Sequence, residues 1–310
     1  MNDLSATVLV GRILSDDVHG DIPGRRHDIA HEIIRRTQTE VPACRMRALW
    51  ILNRIRDPDL LQRFRGMLQC DKAGMPWGAQ ATLFQSSLPH TEIIEIPFRK
   101  SELAACEDRQ AALRYLTNPN LARNTILARG ATQGMRYNFV LDGDIYVPAE
   151  TFRQAAILTD DWTAEDPVWL FTMRAASIEE FSRDYLSGSV RRELTDTCES
   201  RFVLNSWPPE VNAIGDEGML GLPEKAVPFD IEREYGNDPK VAYCRLLKAT
   251  AGRLLFVSHP ICHVEHRALP DLPSTLAGPE RDAVLLDHRI AMRRAAVCQA
   301  IRLWRDCREL

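Results

Sequence analysis

The chain has 310 residues, 45% of them hydrophobic and 26% charged, with 16 glycines and 18 prolines. That balance excludes fibrous, low-complexity and intrinsically disordered classes and is sufficient for a sizeable core. A formal net charge of −4 argues against a dedicated nucleic-acid binder, whose phosphate contacts leave a strongly basic domain.

No stretch approaches the roughly 20 consecutive apolar residues that span a bilayer, and Met1-Asn2-Asp3 is acidic where a secretory signal starts basic. A cytoplasmic location is therefore expected. The 8 cysteines are scattered singly with no CxxC pair, so reduced and mostly buried thiols are expected rather than a disulfide framework.

Taken in chain order, Val8 to Leu14 reads as a first strand, the polar stretch from Ser15 to Asp28 as loop, and Ile29 to Thr37 as helix. Arg47 to Ile55 is a compact apolar run that fits a strand covered on both faces. Asp57-Pro58 then opens a helix: the carboxylate can cap free backbone N–H groups, proline suits the first helical position, and Leu60, Leu61, Phe64 and Leu68 form the apolar face. Glu92 to Phe98 reads as a strand, Ser101 to about Leu116 as a helical stretch, and Asn118-Pro119 as the start of another helix running to about Gly130. Tyr137 to Leu141 is a strong strand. Val168 to Met173 and Arg253 to Val257 are further strands, Lys240 to Ala249 is helical, and Pro279 to Arg308 is a long helix with Leu286, Ile290, Val297, Ile301 and Trp304 on one side.

Strands alternating with helices predict an α/β fold with a mostly parallel central sheet and right-handed crossovers. A Pro- and Gly-rich, less regular region from Trp207 to Asn237 marks a composition shift near residue 206.

The most informative motif is Phe139-Val-Leu-Asp-Gly-Asp144, a strand ending in two carboxylates one residue apart. In open α/β sheets ligands gather beyond the carboxyl ends of the strands, where Asp142 and Asp144 would meet a hard divalent cation and Gly143 would leave it room. The same tripeptide is also an ordinary turn after a strand. One helix earlier, Arg123 and Asn124 fall in the first turns of a helix, where free N–H groups, the dipole and a guanidinium all favour an anion. A solvated arginine and a surface asparagine would read identically.

Asn120-Leu-Ala-Arg-Asn124 followed by Phe139 to Asp144 resembles the GT-A glycosyltransferases, particularly the family-2-like enzymes, in which an Ala-Arg-Asn helix precedes a strand ending in Asp-X-Asp. Leu49-Trp-Ile-Leu-Asn-Arg-Ile-Arg-Asp-Pro58 is similar to the early strand and turn of bacterial polysaccharide-associated members, and the likeness covers roughly residues 47 to 175. This resemblance implies a GT-A-like fold and a metal-dependent transfer of a sugar from a nucleoside diphosphate, a UDP-sugar foremost, to a hydroxyl of a saccharide, lipid-linked glycan or small-molecule acceptor. Asp142 and Asp144 would hold Mn²⁺ or Mg²⁺, and Asn53, Asp57, Arg123, Asn124 and Asp142 would face the donor. For inverting chemistry, Asp216 and Glu217 in Ile214-Gly-Asp-Glu-Gly218 would supply the base, with Asp230 and Glu232 as competitors. Residues 1–205 would form the nucleotide-sugar half and 206–310 the acceptor side, in one continuous domain.

His259-Pro-Ile-Cys-His-Val-Glu-His266 reads either as a polar loop with one buried histidine or as a ligand source. The resemblance implies that His259 or His263 adds a metal ligand. The arginines of the last helix, among them Arg281, Arg289, Arg293, Arg294, Arg302, Arg305 and Arg308, fit a solvated helix face or peripheral contact with anionic lipid.

There is no G-x-S-x-G, Walker A or G-x-G-x-x-G motif. A metal-dependent nucleotidyl- or phosphotransferase would use the same aspartates but needs a basic Gly-rich phosphate loop, which Val10-Gly11-Arg12 barely suggests. A non-catalytic interaction protein with a degenerate site is the other alternative.

Overall fold

The computed structural model describes residues 8–16, 25–117, 119–135, 137–143, 145–160, 168–176, 198–204, 254–264 and 278–309. Within them the chain forms β1 (Val8–Leu14), α1 (Arg25–Ala43), β2 (Arg47–Asn53), α2 (Pro58–Met67), β3 (Cys70–Trp77), β4 (Ala81–Ser86) and β5 (Thr91–Ile96). There follow α3 (Lys100–Ala104), α4 (Arg109–Thr117), α5 (Pro119–Thr132), β6 (Tyr137–Asp142), β7 (Ile145–Tyr146), α6 (Ala149–Asp160), β8 (Val168–Ala176), β9 (Cys198–Leu204), β10 (Leu254–Val264) and α7 (Gly278–Arg308).

The strands make one 10-stranded sheet in the order β3-β4-β5-β2-β1-β6-β9-β8-β10-β7. Its centre, β5-β2-β1-β6, is parallel throughout, as the strand and helix alternation predicts. Antiparallel pairing enters at both sides, through β3-β4-β5 and through β9 between β6 and β8, while β8 and β10 are parallel. The fold is α/β, with a parallel core and mixed flanks.

Covering both faces of the central strands explains their composition. In β2, Ala48, Leu49, Trp50, Ile51 and Leu52 are all at most 3% exposed. On β1, Leu9 and Ile13 pack with Ala122 and Ile126 of α5, whereas Val8 and Val10 pack with Val41 of α1 and Phe152 of α6. That split follows the two-residue period of a strand. Gly11 permits the close approach of α5: a Cβ there would sit 2.3 Å from Ile126 Cγ2.

Asp57 accepts from Asp59 N at 2.9 Å and caps α2, with Leu60 and Phe64 buried, as the sequence predicts. The helical stretch expected from Ser101 to Leu116 is two helices. Asp108 ends the continuity by accepting from Ala111 N at 2.7 Å and so capping α4. Helix α1 is longer than expected at both ends. The hairpin β3-β4 carried no strand signal because β3 is exposed along nearly its whole length and lacks apolar alternation.

Helix α7 buries Trp304 and Cys307 against Leu103 and Ala112. Val297, expected on its apolar side, is 39% exposed, and Arg302, Arg305 and Arg308 are exposed. Cys44, Cys70, Cys106, Cys298 and Cys307 are free thiols, but of these only Cys307 is buried, and Cys298 lies exposed on α7. Among the described residues, no helix is long and apolar enough to cross a membrane.

The chain's route from β6 to β7 shapes the site. Asp142 and Ile145 are three residues apart, at most roughly 10 Å, yet three strands separate β6 from β7 in the sheet. Four strand spacings would need roughly 19 Å in a flat sheet. The sheet therefore curls, bringing its β7 edge back towards β1 and β6.

Candidate functional site at the carboxyl end of the parallel strands

The four parallel strands end at one edge, in Ile96, Asn53, Leu14 and Asp142. Asp142 lies opposite Ile13 in the register of β6 on β1. The strand-end placement expected for Asp142 and Asn53 is thus present, and Asn53 is 9% exposed.

Arg123, in the first turns of α5, reaches across to Asp142. Its Nη2 donates to Oδ1 and to Oδ2, both at 3.1 Å, with the arginine side chain 13% and the aspartate side chain 29% exposed. A charge-assisted contact at this depth is screened less than a surface pair. Two residues singled out separately in the sequence are therefore one ion pair. The α5 backbone includes Asn124; its side chain lies outside the described residues.

The neighbouring strand gives Gly143 a structural reason of its own. A Cβ there would meet Ile13 O at 2.5 Å, so the glycine makes room for the backbone of β1. The chain leaves β6 hard against the neighbouring strand. Asp144 lies outside the described residues, as do Asp216, Glu217, Asp230, Glu232 and the stretches 207–237 and 240–249.

His259 and His263 fall within β10, which runs on to Val264 rather than ending near Val257 as expected. Pro260 contributes no N–H to the ladder, and the register with β8 shifts between Val257 and Ile261. The β10 backbone puts His263 opposite Ile145, one residue beyond Asp144. The side chains of both histidines lie outside the described residues.

Other groups at this edge gave no clear signal in the sequence. Asp16, just after β1 and 9% exposed, accepts from Arg56 N at 3.0 and 2.9 Å and from Arg56 Nε at 2.5 Å. It ties the loop after β1 to the loop after β2. Arg54 adopts a left-handed backbone (φ 49) directly after Asn53, stacks its guanidinium 3.8 Å from the centre of the Tyr115 ring and donates to Tyr115 O. The Tyr115 hydroxyl accepts from Arg99 N at 2.8 Å. Burial pushes the Tyr115 phenol above the ordinary range, opposed by the Arg99 backbone bond and the charge of Arg54. An Asp in a loop and an Arg after a strand are too common for their pairing to be read without the fold.

Val10-Gly11-Arg12 is no phosphate loop. It is the middle of β1, with Gly11 under Ile126 and Arg12 1% exposed.

The chemistry of a cation site can be tested on Asp142. A carboxylate at a strand end is the hard oxygen donor that Mg²⁺ and Mn²⁺ take, so the donor type fits. Both oxygens accept from Arg123, which leaves each a further lone pair for a cation, and a cation bound there would lie close to the guanidinium charge. Among the described residues there is no group of three or more His, Cys, Asp or Glu side chains arranged to hold a metal.

A polar cleft of about 220 Å³ lies at the opposite end of the sheet, lined by Arg47, Thr91, Glu92 and Gln133 among others. It sits at the amino ends of β2 and β5, whereas ligands of open α/β sheets gather at the carboxyl ends. Glu92 there is occupied by Arg129, at 2.8 and 2.6 Å, and by Gln133 Nε2 at 2.6 Å.

No protein-family model matches the sequence, and no curated protein matches it. Among solved structures, the chain is similar to a protein from Desulfovibrio desulfuricans G20 assigned as a nucleotide-diphospho-sugar transferase, with 9% sequence identity, 94% of this chain and 98% of that chain covered, and a TM-score of 0.39.

Proposed function

We propose that this chain is a glycosyltransferase of GT-A type that moves a sugar from a nucleoside diphosphate, a UDP-sugar foremost, to an acceptor hydroxyl. The observation that carries the reading is the Arg123–Asp142 pair at the carboxyl edge of the parallel strands: a guanidinium for a diphosphate and a carboxylate for a divalent cation, already within hydrogen-bond distance of each other.

In this reading Asp142 and Asp144 hold Mn²⁺ or Mg²⁺, with His259 or His263 as a further ligand from β10. The cation supplies charge neutralisation on the departing diphosphate. Arg123, released from Asp142, takes the diphosphate, helped by the N-terminal end of α5 and Asn124. Asn53 and Asp57 face the nucleotide. Asp216 or Glu217 accepts the acceptor proton if the reaction inverts, and residues 206–310 form the acceptor side. The exposed arginines of α7 would favour peripheral contact with an anionic lipid surface carrying the acceptor.

The test is thermal unfolding with UDP, GDP, CDP and ADP, each with and without Mn²⁺, on the wild type and on Asp142→Ala with Asp144→Ala. A ligand that binds only the native state raises the melting temperature. A Mn²⁺-dependent rise with one nucleotide, lost in the double variant, is the expected result. No rise with any nucleotide on folded protein would overturn the reading and favour an interaction protein. Release of pyrophosphate rather than nucleoside diphosphate would mark a nucleotidyltransferase.

A further inference from the structure

We infer that Arg12 is a positioning residue that, together with the backbone of Ile13, fixes the turn after β6 and so sets where Asp142 faces; the inference rests on Asp142 belonging to the donor site. The first observation is a broken pattern. On β1 the alternate residues Val8, Val10, Arg12 and Leu14 share a face, and the three apolar ones lie in core clusters with Phe139, Leu141 and Phe152 on one side and Trp50, Leu52 and Ile33 on the other. The remaining position calls for leucine or methionine and holds an arginine 1% exposed. A guanidinium keeps its charge in any protein environment, and burying it is costly. Departures from local rules of this kind concentrate at functional sites.

The second observation is what Arg12 holds. Its Nη1 donates to Ile145 O at 2.5 Å, and its guanidinium carbon lies 6.0 Å from the centre of the Trp50 ring. Ile145 is the first residue of β7 and three beyond Asp142. The next residue along β1, Ile13, presents the carbonyl that a Cβ at Gly143 would meet at 2.5 Å. Two consecutive residues of one central strand thus grip the turn on both sides of residue 144: Ile13 by backbone contact at its start and Arg12 by a hydrogen bond at its end. A leucine could fill the space but could not hold a carbonyl. At 1% exposure Arg12 is out of reach of a dissolved anion, so it acts through the turn and is not a catalytic residue.

Arg12→Met and Arg12→Lys test this by amide hydrogen exchange, alongside UDP binding in the presence of Mn²⁺. In Arg12→Met, exchange of residues 143–147 is expected to accelerate about tenfold with that of β2 unchanged, and UDP affinity to fall by a similar factor. Arg12→Lys, which still offers one charged donor, should recover part of both. Exchange rising equally in β2 and the turn, or lysine performing no better than methionine, would show Arg12 to be core filling and overturn the inference. Should Arg12→Met fail to fold, Arg12→Lys against the wild type carries the same local comparison. A wild type that binds no nucleotide, with the turn still loosened selectively, would remove the donor-site reading and leave the grip intact. A wild type that binds UDP and variants that match it in both measurements would do the reverse.

Discussion

Arg123 Nη2 stands 3.1 Å from each carboxylate oxygen of Asp142, so the strand-end carboxylate faces a guanidinium supplied by the preceding helix. A dication bound to Asp142 is repelled by the neighbouring guanidinium, and at partial exposure that repulsion remains appreciable. Mn²⁺ alone should therefore bind weakly and bind better once a diphosphate has drawn Arg123 away. Arg123→Ala is expected to tighten binding of Mn²⁺ without nucleotide by about fivefold to tenfold while weakening UDP. Electron paramagnetic resonance of free Mn²⁺ reads the first effect directly, and an unchanged affinity would mean that Asp142 is not a direct ligand.

Asp57 has one role on view, capping α2 through Asp59 N at 2.9 Å, and one proposed, facing the nucleotide. Serine separates them. Asp57→Ala should lose about 1 kcal/mol of stability, and Asp57→Ser should keep most of it because a hydroxyl caps nearly as well. If the carboxylate also meets the donor, Asp57→Ser will melt like the wild type yet bind the nucleotide less well in calorimetry. Equal affinity for the two would leave Asp57 as a cap alone.

At Gly143 the neighbour that would have to yield is the Ile13 carbonyl, 2.5 Å from an added Cβ. Backbone in the middle of a sheet moves less readily than a side-chain tip. Gly143→Ala is expected to cost about 1–3 kcal/mol in urea unfolding, the usual range for forced overpacking, and to disturb ligand binding at Asp142. Unfolding midpoints identical to the wild type would contradict the close approach.

Gly11 offers the complementary case, because its added Cβ would overlap Ile126 Cγ2 at 2.3 Å and Cγ1 and Cδ1 at 2.8 Å. Those atoms can be removed. Gly11→Ala and Ile126→Ala should each destabilise, and the double variant should be more stable than their sum predicts, with a coupling of about 1 kcal/mol or more. Additive behaviour would show that α5 and β1 are not in the contact described.

Burial raises the thiols of Cys44, Cys70 and Cys106 and the phenols of Tyr115 and Tyr146, with nearby arginines opposing it in each case. A group whose folded-state pKa is raised adds stability that is whole below its unfolded value and is lost as pH climbs through the folded one. The unfolded values are roughly 8.5 for thiols and 10 for phenols. Stability measured by urea unfolding should accordingly hold between pH 7 and 8 and decline above about pH 9. Tyr146→Phe should make the decline shallower, whereas a curve flat to pH 11 would place these groups in water.

The parallel centre of the sheet was legible because each strand there is a short apolar run bounded by a breaker, and because β strands joined through helices have few topologies open to them. The cap at Asp57 and the strand ending in Asp142 were legible for a similar reason: both depend on neighbours within a few residues. Hairpin β3-β4, helix α6 and strand β9 were not read. In β3 exposure removes the alternation that marks a strand, and β9 takes its place between β6 and β8 from a distant part of the chain.

What the sequence determined by itself, then, was local: where strands and helices begin, and which carboxylates and cations stand at their ends. Only the tertiary structure decided what those groups face. It joined Arg123 to Asp142 and Asp16 to Arg56, brought Ile145 within reach of Arg12 across 133 residues, and set Gly143 against Ile13. The reason is geometric: hydrophobic periodicity registers which face of an element is buried, and carries no record of which other element buries it. A partner across the sheet depends on strand order and on the curl that returns β7 to β1, and both arise from the packing of the whole chain.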